Sequence, residues 1–422
     1  MPLLDPSELT VIIPVGGEAK RMQPLTTEVS KALIRIVGRP VVEFALIELA
    51  KQGVRNFIFG VKGYVNYKSL FDYFGEGTGF SAKYKIEPRA HIRYQPRIED
   101  VGSADSVRIN MEYYDINGEI MVVQGDNIFE LDLRSMLQLH EENKAFMTIA
   151  LTKVSDVEAY GIADLRSDGR IRRFVEKPKK EEAPSKYANT GIYILSPAVR
   201  SLFRSSELES LITQRRRLDF GMDFIPYLVE KNYPVYGYIS DGEWMDVGTP
   251  RGYLQAMRSL LNSPSAKDRF GEPIAELGRV WIRGQSKEAE RRREEIISKA
   301  RQGKIRIEGC VLIGRHTRIG DGTVIKDSAI DNYCVIGSNV TIERSSLMDG
   351  VVVGEGAQIQ DSIIGRYVDI RSSLLKPTWL VGLCMIGDDA MIDEGSTLVS
   401  SRILPHARVM KGSSKINEVV TG

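Results

Sequence analysis

The residues of this 422-residue chain best suited to chemistry are a glycine pair, a few cations beside it and two aspartates. Gly16-Gly17 follows the apolar run Val11-Ile12-Ile13-Pro14-Val15. A glycine pair at the end of a strand lets backbone N–H groups come close to phosphate oxygens. Arg21 and Lys31 then supply charge for a polyphosphate, with Lys20 as a further cation. The Gly-x-x-x-x-Gly-Lys-Ser/Thr loop is absent, and so is a dinucleotide fingerprint. Asp126 and Asp246 each close a short apolar run. Mg²⁺ takes oxygen ligands and keeps waters and phosphate oxygens, so one or two carboxylates suffice to hold it, and these two aspartates are the candidates. The four histidines (His91, His140, His316, His406) are too few for a histidine-based metal site or a Ser-His-Asp triad. Cys310, Cys334 and Cys384 match no metal or disulfide spacing and read as small buried hydrophobes.

These residues need elements to position them. Val11–Val15, Asn56–Val61 and Glu119–Val123 are buried-type strands, and Val41–Gln52 has the apolar spacing of a helix closing near Gly53. Strands alternating with helices predict a Rossmann-like α/β domain with a mixed, mostly parallel sheet. Ligands of such sheets sit outside the carboxyl ends of the strands, where Gly16-Gly17 and Gly125-Asp126 fall.

After Ile305 the period changes. Ile307, Ile313, Ile319 and Ile325 are six apart, then come Ile330, Ile336 and Ile342, then Leu347, Val353, Ile359, Ile364 and Ile370. This six-six-five rhythm gives coils of about seventeen residues with three short strands each, the pattern of a parallel β-helix. It breaks over Leu374–Cys384 and resumes at Ile386. Val280-Trp281-Ile282 reads as an early strand of the same β-helix. Residues 285–304 read as a charged, solvated connecting helix, with Glu288–Arg292 and Arg291–Glu295 pairs and a stop at Gly303. The expected domains are therefore 1–262 (the α/β domain), 263–304 (linker with the charged helix) and 305–422 (β-helix).

The stretch Gly16-Gly17-Glu18-Ala19-Lys20-Arg21-Met22-Gln23-Pro24-Leu25-Thr26, with Lys31 a few residues on, resembles the signature of the sugar-1-phosphate nucleotidylyltransferases. Gly125-Asp126, Tyr160-Gly161, Glu176-Lys177-Pro178, Asn189-Thr190-Gly191 and Trp244-Met245-Asp246-Val247-Gly248-Thr249 follow in the family's order. A left-handed β-helix tail is common in that family. The resemblance implies transfer of a nucleotidyl group from an NTP to a sugar 1-phosphate, most readily glucose or mannose 1-phosphate, with Mg²⁺ on Asp126 and Asp246. It implies that Arg21 holds the leaving pyrophosphate, Lys31 the α-phosphate and Lys177 the sugar phosphate. Val15, Gly16, Gly17, Gln95, Gly102 and Ser103 would face the nucleotide, and Gly161, Glu176, Asn189 and Thr190 the sugar. A sugar phosphate is already an anionic nucleophile, so no general base is required.

Three positions depart from the signature: Ala19 for the third glycine, Lys20 for the threonine after it and Ser30 for the proline before Lys31. If position 19 needs a positive φ, its Cβ costs on the order of 1 kcal/mol. These departures leave a second reading open, a non-catalytic homologue that senses nucleotide sugars. A third is an added acetyltransferase activity in the β-helix, for which His316 or His406 would have to serve. The formal net charge of +1 argues against a nucleic-acid partner. No apolar run is long enough to span a membrane, and Met1-Pro2-Leu3-Leu4-Asp5 lacks the layout of a secretion signal, so the expectation is a cytoplasmic protein. The flat sides and open ends of a β-helix predict a homo-oligomer.

Overall fold

The computed structural model describes residues 4–17, 19–97 and 99–421. The start of the stretch read for a secretion signal, Met1-Pro2-Leu3, lies outside the described residues, as do Glu18 of the glycine-rich stretch, Ile98 and Gly422. The chain forms two units, one of residues up to 18, 30–33 and 41–245, the other of residues 19–29, 34–40 and 246 onward.

The main sheet of the first unit has nine strands among the described residues: Thr10–Val15 (β1), Asn56–Val61 (β2), His91–Tyr94 (β3), Ile120–Val123 (β4), Met147–Lys153 (β5), Gly161–Leu165 (β6), Ile171–Glu176 (β7), Tyr187–Leu195 (β8) and Val235–Ile239 (β9). They form one sheet in the order β7-β6-β8-β4-β1-β2-β3, and β5 pairs with both β8 and β9. β1 lies parallel to β2 and β4, and β3 parallel to β2. This explains the unbroken apolar run in β1, since a central parallel strand is covered on both faces. Helix Val41–Lys51 (α1) buries nearly its whole length and ends before Gly53, whose φ of 105° suits only glycine. Helix Ser103–Tyr113 (α2) starts from Gly102, and its Ala104, Val107 and Met111 join the core on the other face of the sheet. β8 runs antiparallel to β4, β5 and β6, and β7 antiparallel to β6. The sheet is thus mixed, with its antiparallel part carrying Gly161, Glu176 and Asn189.

In the second unit the isoleucine rhythm becomes parallel register. Ile313, Ile330, Leu347, Ile364, Ile386 and Ile403 stack in one sheet. Ile319, Ile336, Val353, Ile370, Ile392 and Val409 stack in a second, and Ile325, Ile342, Ile359, Leu380 and Leu398 in a third. Three sheets around one apolar column make the parallel β-helix that the period predicts. Val280–Ile282 is its first strand, in register with Val311–Ile313. The excursion before Cys384 is a longer coil between Ile359 and Leu380, with Leu374 and Leu375 exposed at its tip. Buried polar groups between strands are satisfied by a ladder. Ser328 and Ser345 accept backbone N–H bonds from Ser345 and Ser362 one coil on, both at 3.1 Å, while donating to the carbonyls of Lys326 and Glu343.

The charged segment is the helix Lys287–Arg301, capped by Ser286, whose Oγ accepts the Ala289 N–H. Arg292 pairs with both Glu288 and Glu295, but Ala289, Ile296 and Ile297 are buried in the β-helix core cluster. One face is therefore packed as well as the other solvated. The hairpin Arg35–Pro40 also belongs to this unit. Arg35 Nε donates to Asp331 Oδ2 at 3.1 Å, and Tyr253 OH donates to the Arg35 carbonyl at 2.6 Å. Burial pushes the Asp331 carboxyl upward and the Arg35 guanidinium opposes it.

Ile342 is fully buried between Ile325 and Ile359. Truncation of such a side chain costs about 2–5 kcal/mol. Ile342→Ala is therefore expected to lower the denaturant midpoint clearly, whereas Val335→Ala, on an outward-facing position, shifts stability by less than about 0.5 kcal/mol. Equal midpoints for the two variants would contradict the assigned register.

Candidate active site

The parallel strands of the first unit end in the loops that carry the residues expected to meet phosphate. β1 runs into Gly16 and Gly17, both exposed, and Gly17 has a φ of 87°. A Cβ at Gly16 would stand 3.3 Å from the Lys62 side chain at the end of β2. Lys62 is a cation that sequence reasoning passed over, and its Nζ donates to the Asp100 carbonyl at 2.8 Å. Gly125 follows β4, where a Cβ would meet the Val15 side chain at 3.1 Å. Lys31, on the short helical turn Lys31–Leu33, forms an ion pair with Asp126. The expected α-phosphate lysine and the expected metal carboxylate thus meet, each only partly buried. Without substrate they neutralise one another.

The sugar-facing candidates gather around β7. Glu176 ends that strand and is half-buried. Two glycines make room for its carboxylate: a Cβ on Gly161 or on Gly221 would each come within 2.5 Å of Oε2. Burial is the main force that raises the Glu176 carboxyl above its ordinary range; Lys177 opposes it and the negative Asp219 adds to it. Lys177 stands next in the chain with a φ of 48°, its Nζ 3.9 Å from Glu176 Oε1. Asn189-Thr190-Gly191 is a bulge in β8. Gly191 takes a φ of 77°, and the pairing with β5 shifts register between Asn189 and Tyr193. The bulge leaves Asn189 partly exposed, its Nδ2 donating to Tyr193 OH at 2.9 Å.

Two expectations change at the level of the side chain. Thr190 is 2% exposed, and its hydroxyl donates to the Ala150 carbonyl of β5. Gln95 is 3% exposed. Its amide oxygen accepts from Ser106 Oγ and Asn110 Nδ2, and its nitrogen donates to the Val61 and Arg97 carbonyls. Both side chains are turned inward because their polar groups satisfy buried partners. They shape the site from behind and do not present a group to a ligand. Ser103 likewise spends its hydroxyl internally, on Asp219 Oδ2 at 2.8 Å, while Gly102 caps α2 with a φ of 149°.

Asp219, Phe220 and Gly221 are the residues the sequence reading missed. Asp219 caps the segment Phe220–Phe224, its Oδ1 accepting the N–H groups of Gly221 and Met222 at 2.9 and 3.2 Å. Behind it, Asp223 is fully buried between Arg215 and Arg217, which hold its carboxyl below the usual range against the effect of burial. The signal available in the sequence was a run of three arginines followed by Asp-x-Gly-x-Asp.

The second unit holds the other two candidates. Asp246 closes the strand Trp244–Asp246, and its Oδ1 accepts the Gly248 N–H at 2.7 Å. A Cβ at Gly248 would lie 2.6 Å from Asp246 Oδ1 and 3.3 Å from Arg21 Nη2, so that glycine keeps carboxylate and guanidinium close. Thr249 then caps the helix Pro250–Asn262 through Oγ1, with proline at its first position. Ala19, ahead of Arg21, has a φ of 43° and a ψ of 37°, the left-handed conformation that the missing glycine would favour. Ser30 donates its N–H to Ser69 Oγ at 3.2 Å, a bond proline could not make, while its own buried hydroxyl has no partner among the described residues. Of the β-helix histidines, His316 stacks on Tyr333, and His406 meets Glu28 at 3.1 Å.

These features define an α/β unit with glycine loops at its strand ends, followed by a β-helix. Residues 10–263 match the nucleotidyl transferase family model, and the chain belongs to that family. Residues 293–398 match the EIF2B subunit epsilon LbH domain, which makes the β-helix left-handed as expected. A UTP–glucose-1-phosphate uridylyltransferase of Synechocystis sp. is 30% identical over 387 residues, 88% of this chain and 93% of the relative. A crystal structure from Bacillus anthracis described as a glucose-1-phosphate thymidylyltransferase in complex with a sucrose overlaps 60% of this chain and 94% of its own, with 25% identity and a TM-score of 0.49. No helix of the described residues is long and apolar enough to cross a membrane.

Replacing Ala19 with glycine removes a left-handed Cβ penalty of roughly 1 kcal/mol. Ala19→Gly is expected to raise the melting temperature of the protein by a degree or more. A lower melting temperature would show that the Cβ is not under strain.

Proposed function

We propose that the protein transfers a nucleotidyl group from an NTP to a sugar 1-phosphate, releasing pyrophosphate. UTP and glucose 1-phosphate are the first pair to test, and mannose 1-phosphate the next acceptor. The observation that carries this reading is the Lys31–Asp126 ion pair at the carboxyl end of the parallel strands. It holds a cation and a metal-type carboxylate where the α/β architecture places ligands. The homology to a uridylyltransferase along most of the chain supports the choice of substrates.

Two anions must approach one another in this reaction, and the protein has to offset their repulsion. Lys31 takes the α-phosphate, exchanging Asp126 for it, and Arg21 takes the leaving pyrophosphate. Lys177 takes the sugar phosphate, and Glu176 and Asn189 accept and donate to sugar hydroxyls. Gly16, Gly17 and Gly102 let the nucleotide approach the backbone. Asp126 and Asp246 are each proposed as Mg²⁺ ligands. The fit is chemical: both are carboxylates at strand ends, and one or two carboxylates are enough. That suits an ion which retains waters and phosphate oxygens instead of a full protein cage. When bound, Mg²⁺ would neutralise phosphate charge and orient the triphosphate. A cytoplasmic location and self-association through the β-helix complete the proposal. Light scattering across a dilution series tests the latter, and a monomeric mass throughout would refute it.

Pyrophosphate release with Mg²⁺, across five NTPs and the glucose, mannose, galactose and N-acetylglucosamine 1-phosphates, tests the activity. Turnover with one or a few pairs is expected, lost by at least about 100-fold in Asp126→Ala and Asp246→Ala. Silence across the panel, with nucleotide sugars still raising the melting temperature, would favour a sensor. A pH prediction follows from Glu176. Its ionised form accepts hydroxyls, and its carboxyl is raised, so activity falls on acidification sooner than an ordinary glutamate would dictate. Asp219→Asn removes the negative charge that adds to the effect of burial and is expected to move the acid limb of kcat/KM for the sugar phosphate to lower pH. An unmoved or upward-shifted limb would remove Asp219 from the control of Glu176.

A further inference from the structure

The loop that leads into α2 and the residues around Glu176 are joined by one short segment, Leu218–Gly221. The Leu218 N–H donates to the Val101 carbonyl at 3.0 Å, and the Leu218 carbonyl accepts from the Ala104 and Asp105 N–H groups at 3.0 and 3.2 Å. Ser103 Oγ donates to Asp219 Oδ2 at 2.8 Å and accepts the Phe220 N–H at 3.0 Å. The clearances at the two ends are small. A Cβ on Gly102 would meet the Leu218 carbonyl oxygen at 2.5 Å, and a Cβ on Gly221 would meet Glu176 Oε2 at the same distance. Asp219 fixes Gly221 by accepting its N–H. Packed groups at such distances do not move independently; they shift together or repack.

We propose that Ser103 and Asp219 are positioning residues that couple nucleotide binding at Gly102 to sugar-phosphate binding at Glu176, through the segment Leu218–Gly221. The proposal rests on the reading of Gly102 as nucleotide-facing and Glu176 as sugar-facing. A nucleotide seated on the Gly102 backbone holds the first turn of α2 in place. Ser103 passes that restraint to Asp219 and Phe220, and Gly221 fixes the wall against which the Glu176 carboxylate rests. The sugar site is then assembled most fully when the nucleotide is present. The Ser103 hydroxyl is suited to this part because it donates on one side and accepts on the other, so one atom ties both Asp219 and the following backbone.

The test measures the coupling directly with a pair that cannot react. Glucose 1-phosphate is titrated into the full-length protein with Mg²⁺, with and without saturating α,β-methylene UTP, or with the analogous pair if the release assay selects another. Coupling in the intact protein is expected to be about 5-fold or more in dissociation constant. Ser103→Ala should reduce it to below about 2-fold, whatever the affinity for each ligand alone. Ser103→Thr, which keeps the hydroxyl, should restore it. Gly221→Ala provides a second handle and should weaken glucose 1-phosphate while leaving the nucleotide analogue nearly unaffected. Coupling that persists in Ser103→Ala, or wild-type protein that binds both ligands independently, would overturn the proposal and leave the reading of the site standing. Wild-type protein that binds neither ligand would overturn that reading, and the coupling with it.

Discussion

An ionised side chain leaves water only in company, and that requirement organises both units of this protein. Asp223 is fully buried because Arg215 and Arg217 close on it from the surface. Glu43, buried on helix α1, is held by Lys83 and by the hydroxyls of Tyr73 and Tyr84. Asp331 lies under the Arg35 hairpin. Removing one partner from such a pair leaves a charge that the interior cannot tolerate, and the Lys83–Glu43 and Arg35–Asp331 pairs thereby pin elements distant in sequence. Lys31 and Asp126 obey the same rule with one difference. Both remain partly open to solvent, so a phosphate can replace one partner without stranding the other.

Space is the second organising quantity. Around Glu176 the chain places a glycine on each side, and neither is there for its own backbone conformation. They are absences of Cβ that let a carboxylate sit in a narrow slot. The slot partly removes it from water, which raises its carboxyl, and keeps it aimed. Gly191 and Gly102 act differently, through left-handed backbone that re-aims a strand and opens a helix. The antiparallel part of the sheet thus owes its chemistry to where side chains are missing.

Much of this was legible beforehand, and the reasons are physical. A repeat that must stack on itself leaves a period, so Ile313, Ile330 and Leu347 revealed their register in advance. Strand ends followed by glycine revealed Gly16-Gly17 and Gly125-Asp126. Gln95 and Thr190 stood at plausible positions, but spacing carries no information on which way a polar side chain turns. Asp219 and Gly221 matter through Glu176, more than forty residues away, and no local pattern encodes that contact. The hairpin Arg35–Pro40 was silent for the same reason: its membership in the β-helical unit is decided by a tyrosine and by aspartates from the far end of the chain.

That hairpin sets a timetable. Arg35 and Asp331 are 296 residues apart in sequence. At roughly 5–20 residues per second of synthesis, Arg35 leaves the ribosome about 15–60 s before its partner exists. The strands of the first unit have all emerged by then, so the N-terminal third must hold its tyrosine-acceptor carbonyl and its guanidinium in water while the coils are still being made. The β-helix can grow coil by coil as it appears, each new strand finding the last. The joint between the hairpin and the early coils consequently forms only after Asp331 has appeared, and any truncation that removes those coils leaves an arginine near the N-terminal end without the carboxylate it was made to meet.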